Sequence, residues 1–71
     1  MILQSKILGD VVVIWAHHSD CGYFVNVCKG ESLIDGKTFF HDQSDLAEKC
    51  YYNAIKGVQM AQKLLAKLEV K

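Results

Sequence analysis

The sequence predicts an α+β domain: an antiparallel β-meander of three to four strands, followed by one long C-terminal α-helix packed on one face. Three observations carry this reading. Turn signals divide the first 42 residues at short intervals, the hydrophobic repeat changes from two to about 3.6 residues at Ser44, and 71 residues suffice for one domain only. A chain this short buries only about 60% of its unfolded surface, so its own core supplies modest stability.

In "LGDV", Gly9-Asp10 separates two apolar segments as a two-residue hairpin loop does, which places strands near 2–8 and 11–17. "HSDCGY" is a longer polar connection in which Gly22 can take a positive φ, and a third strand follows near 23–28. "IDGK" repeats the two-residue signal at Asp35-Gly36. It places the last strand near 37–41 and leaves 29–36 irregular or as a short extra strand.

Ser44 is a good N-cap, Asp45 and Glu48 suit the positive end of a helix dipole, and Lys63, Lys67 and Lys71 suit the other end, so one helix is predicted from about 45 to 69. Ala47, Tyr51, Ala54, Val58, Ala61, Leu65 and Leu68 form its apolar stripe, with Cys50, Ile55 and Leu64 on the flanks. Such a helix is roughly 37 Å long, whereas a six-residue strand spans about 20 Å. The stripe therefore outruns the sheet. Gly57 costs about 1 kcal/mol relative to Ala inside a helix and lies between Ala54 and Ala61. Either the helix bends there, or Gly57, Val58, Ala61, Leu65 and Leu68 are buried by a second copy. A homodimer through these residues is the expectation.

With Gly9-Asp10 as a two-residue loop and residues 19–22 as the next, Leu3, Ser5, Ile7, Val12, Ile14, Ala16, Tyr23, Val25 and Val27 share one face, which the helix should cover. Ile2, Gln4, Lys6, Val13, Trp15, His17, Phe24, Asn26 and Cys28 share the other. A single helix cannot cover both. Trp15, His17, Phe24 and Asn26, with Lys6 beside them, are then the candidate partner-binding residues, tryptophan being prominent among interface hot spots.

The remaining chemistry excludes more than it proposes. Eight basic and eight acidic residues cancel, so no global field attracts phosphate or anionic lipid. Nucleic acid is an unlikely partner. The start "MILQSKILGD" lacks the features of a signal peptide and no run approaches a membrane span, which reads as cytoplasmic; Cys21, Cys28 and Cys50 then read as free thiols. His17, His18, Cys21, Cys28, His41 and Cys50 are metal-ligand types, but adjacent strand residues point to opposite faces and no Cys-x-x-Cys pair exists. No metal, cofactor or catalytic residue is assigned. Cys28 with His17 is the one thiol–imidazole pair on a shared face, and nothing suggests a cleft around it.

"DCGYFVNV", followed by a turn, a strand and "DLAEKCYYNAIKGVQMAQKLL", resembles the small antitoxins of the HicB type across residues 11 to 68. The chain lacks the proline-containing segment usual in those proteins and has a longer helix. The resemblance implies a neutralised partner protein held by the sheet or its edge. The function expected is that of a small non-enzymatic inhibitor of a larger protein or protein complex, of toxin–antitoxin or phage counter-defence (anti-CRISPR) type. The alternative is a sheet platform for single-stranded nucleic acid or a nucleotide, and a metal-dependent or thiol enzyme is a third class.

Overall fold

The computed structural model describes residues 1–69; Lys71, counted above at the basic end of the helix, lies outside them. Strands β1 (Ile2–Leu8), β2 (Val11–His18), β3 (Gly22–Lys29) and β4 (Ser32–Phe39) form one antiparallel sheet in the order β1-β2-β3-β4, and helix α1 (Ser44–Glu69) follows. The predicted meander and helix are both present.

The first hairpin has the predicted register: Leu8 pairs with Val11, Ile7 with Val12 and Ser5 with Ile14. A bulge at Leu3 then brings Ile2 rather than Leu3 opposite Ala16. The last hairpin differs from the prediction. Its loop is Gly30-Glu31, between Lys29 and Ser32, with Gly30 at φ 61° in the first loop position, where a twisted two-residue loop favours glycine. Asp35-Gly36 is no turn at all. Gly36 lies within β4 opposite Asn26, whose Oδ1 would be 2.7 Å from an added Cβ, so glycine here makes room for a neighbouring side chain.

The middle hairpin decides which residues meet the helix. His18 pairs with Gly22, His17 with Tyr23 and Trp15 with Val25, so the loop is Ser19 to Cys21, one residue shorter than predicted. A one-residue slip exchanges the faces of a strand. The faces of β2, and of β1 from Gln4 to Leu8, are therefore reversed from the prediction, while Ile2, beyond the bulge, stays on the open side and Tyr23, Val25 and Val27 of β3 face the helix, both as expected. Val13, Trp15, Val25 and Val27 pack against Ala47 and Tyr51 to form the core, with Leu8, Val11, Cys50, Ile55 and Val58 around it. Trp15, predicted on the open face, is only 8% exposed and lies with its ring 5.8 Å from that of Tyr51. Its indole N–H is buried without an acceptor among the described residues.

At the helix start the Gln43 carbonyl accepts the first helical bond, from the Ala47 N–H at 3.0 Å. Gln43, rather than Ser44, thus occupies the N-cap, and its side chain accepts from the Phe40 N–H at 3.0 Å. Toward the far end Gln62 Nε2 donates to the Leu8 carbonyl at 2.8 Å. That bond is the helix's last polar tie to the sheet among the described residues. Leu64, Leu65 and Leu68 project beyond it, 57–77% exposed. The molecule measures 49 × 23 × 15 Å, its length set by a helix of about 39 Å lying on strands of about 27 Å.

Trp15→Ala should cost about 3–5 kcal/mol in urea denaturation, as large aromatic truncations in cores do. Trp15→Phe should cost much less, because it keeps most of the packing and removes a buried donor that lacks a partner. Equal losses from the two variants would show that the indole N–H is satisfied after all.

Candidate functional site

Cross-strand partners share a face, and the register thus defines the side of the sheet away from the helix. One row across it reads Ile7, Val12, Cys28 and Leu33; the next reads Ser5, Ile14, Asn26 and Gly36; the third reads Ile2, Ala16, Phe24 and Thr38. None of these residues carries a charge. Ile2, Ile7 and Leu33 are more than 60% exposed, and Val12, Ile14, Phe24, Asn26 and Cys28 are half-buried by their neighbours. Asn26 supplies an amide at the centre of an otherwise apolar surface.

The charged residues of the two edge strands lie on the other side. Lys6 pairs across from Val13, Asp35 from Val27 and Lys37 from Val25, all at the flanks of the helix. Gln4 is there too, and its Oε1 accepts from the Tyr52 hydroxyl at 3.4 Å. Polar edge residues thus frame the covered face, and Ile2 and Ile7 of β1 and Val12 and Ile14 of β2 are left outside.

Of the residues predicted to bind a partner, only Phe24 and Asn26 remain on the open face. Trp15 is core, and His17 and Lys6 are on the helix side for the same reason, the shorter β2–β3 loop. Ile7, Val12, Ile14 and Leu33 take their places. The sequence reading missed them because "VVVIWA" is apolar in both alternating sets, so periodicity could not say which set faced out. Cys28 and His17, the thiol–imidazole pair, are separated by the sheet. His17 instead sets its Nε2 3.1 Å from Nδ1 of His41, with the Tyr23 ring centred 4.6 Å away. His41 is distant in sequence, and no local spacing announces this contact. Among the described residues no three histidine, cysteine, aspartate or glutamate side chains converge as a metal site would require.

A second apolar feature lies on the helix side. A groove of about 440 Å³ runs between the helix and the loop end of the sheet, lined by Gly57, Val58, Ala61 and Leu65 of the predicted self-association set, together with Val11, Val27, Ile34 and Ala54. Leu68 lies beyond it, 77% exposed.

Burial pushes the Cys50 thiol above its ordinary range; Lys37 opposes that shift and Asp35 adds to it. Burial, with the neighbouring Tyr52, likewise raises the Tyr51 phenol. Both acids hold their protons more tightly folded than unfolded. Their contribution is complete below the ordinary thiol and phenol ranges and is lost as the pH climbs through the raised folded values. Stability in urea should be level through neutral pH and fall above about pH 9. A thiol reagent at neutral pH should modify exposed Cys21 first and Cys50 last, which timed mass spectrometry would read.

The chain matches no family model, no curated protein and no solved structure. No helix among the described residues is long and apolar enough to cross a membrane.

Proposed function

We propose that this protein is a non-enzymatic binding module whose open sheet face docks on a larger protein and inhibits or neutralises it. One observation carries the reading: β2 is apolar on both faces, but the helix covers only one. Strands apolar on both sides ordinarily lie between two layers. Here Val13 and Trp15 have their layer, while Val12 and Ile14 face outward in a continuous uncharged patch with Ile7, Phe24 and Leu33. Patches of this kind mark protein interfaces more often than substrate sites, and this one is flat rather than concave. The resemblance to HicB-type antitoxins agrees in kind, since their partner is a toxin protein. Phage counter-defence inhibitors act on the same principle.

A nucleic-acid platform needs stacked aromatics and a basic groove. The open face has Phe24 and neither lysine nor arginine, and Trp15 lies on the other side of the sheet.

The test begins with capture of the target by tagged protein from its native cell, followed by titration of the purified target's activity. Phe24→Ala and Ile7→Glu should each weaken inhibition by about 30-fold or more, which corresponds to about 2 kcal/mol. The unfolding free energy of Ile7→Glu should stay within about 0.5 kcal/mol of the parent's, because Ile7 is 75% exposed. Undiminished inhibition by both variants would move the interface elsewhere. Binding that collapses as salt rises would instead indicate phosphate contacts and the nucleic-acid alternative.

A further inference from the structure

We infer that the overhanging half of α1 pairs antiparallel with the same segment of a second copy, each helix end filling the other's groove. This concerns a different surface from the open sheet face and stands independently of the function proposed for it.

The molecule has more surface than its mass warrants. Its accessible area is 5395 Å², whereas a folded 8.0 kDa chain should show roughly 4,450 Å². Its radius of gyration is 13.4 Å against about 11 Å for a compact domain of this length. The area surplus is close to the roughly 800 Å² that each partner buries in a standard interface. The helix beyond Gln62 contributes to this extension, with Leu64, Leu65 and Leu68 57–77% exposed.

The order of side-chain sizes along the helix selects a second copy as the occupant. Small residues come first, at Ala54, Gly57 and Ala61, and large ones follow, at Leu64, Leu65 and Leu68. An antiparallel pair crossing at Ala61 sets Leu65 of each copy opposite Gly57 of the other and Leu68 opposite Ala54. Large meets small at each of these positions. A parallel pair would oppose Leu65 to Leu65 and Gly57 to Gly57, crowding one end and emptying the other. Gly57 is open for this purpose: a Cβ built there meets nothing within 4 Å, so no contact in its own chain explains a glycine in mid-helix. Gly57 also lines the groove, whose far wall is Val27 and Ile34 of the sheet.

Asp10 and Asp35 stand on the groove rim, where Lys29 already lies 3.6 Å from Asp10, so the apolar lining rather than charge selects the occupant.

Sedimentation equilibrium of the full chain at high micromolar concentration should give twice the 8.0 kDa chain mass. Leu65→Glu should give a folded monomer by circular dichroism, since Leu65 is already 57% exposed. Gly57→Leu should also be monomeric, with a melting midpoint above that of monomeric Leu65→Glu, because a helix-interior glycine is removed without a clash. The double variant Gly57→Leu with Leu65→Ala restores a large residue opposite a small one in the antiparallel register and should recover the dimer. Ile7→Glu should leave it unchanged. A parent chain that remains monomeric overturns the inference. So does a dimer that survives Leu65→Glu, a double variant that stays monomeric, or a dimer lost with Ile7→Glu alone.

Discussion

Gly22 holds φ 92° with the Phe39 carbonyl seated where any other residue would carry its Cβ. Only glycine fits here, where the end of β4 closes on the start of β3 and the β2–β3 connection has three residues. Every face assignment follows from it. With His18 opposite Gly22, alternation carries Trp15 and Val13 under the helix and sends Ile14 and Val12 outward. A connection one residue longer would bury Ile14 and expose Trp15, on the same strands with nearly the same hydrophobicity. The choice between two similar apolar faces thus rests on one glycine and its carbonyl neighbour.

Tyr51 shows why the chosen face suits the helix. Its ring lies against Trp15, and Ala47, one turn earlier, is fully buried; a small residue followed by a large one lets the helix sit close to the sheet over β2 and β3. Aromatic contact supplies area that a helix with few large aliphatic residues in its first turns otherwise lacks. The resulting core is narrow. It reaches as far as Val58, and beyond it Met60, Leu64, Leu65 and Leu68 are more than half exposed.

The strands and helix were legible because their signals are local. Gly9-Asp10, the polar run before Tyr23 and the change of period at Ser44 each act within a few residues, and the structure has a turn or a helix start at each. Asp35-Gly36 misled for an instructive reason. Asp-Gly is a strong loop signal, but Gly30-Glu31 lies five residues earlier and closes the hairpin first, which leaves Gly36 to a task set by Asn26 on the next strand. That task is tertiary and invisible in a window. The face of β2 was illegible for a different reason: both alternating sets are apolar, so only loop length could decide between them. The groove residues Gly57, Val58, Ala61 and Leu65 were legible as a stripe, whereas the sheet wall facing them, Val27 and Ile34, needed the fold.

The two uncovered surfaces lie on opposite sides of the sheet, one on its bare face and the other along the helix. Helix-to-helix pairing therefore leaves both bare faces directed outward and unobstructed. A two-fold pair would present two identical docking faces, each backed by its own core, at a separation fixed by the helices rather than by a flexible linker. Such an arrangement gains avidity only against a target that is itself paired or offers two sites at the same spacing; against a single-site target the two faces act independently. The same geometry protects the patch from self-burial, because a chain that dimerises through its helix consumes the surface that outran its sheet and keeps the uncharged face available for a different protein.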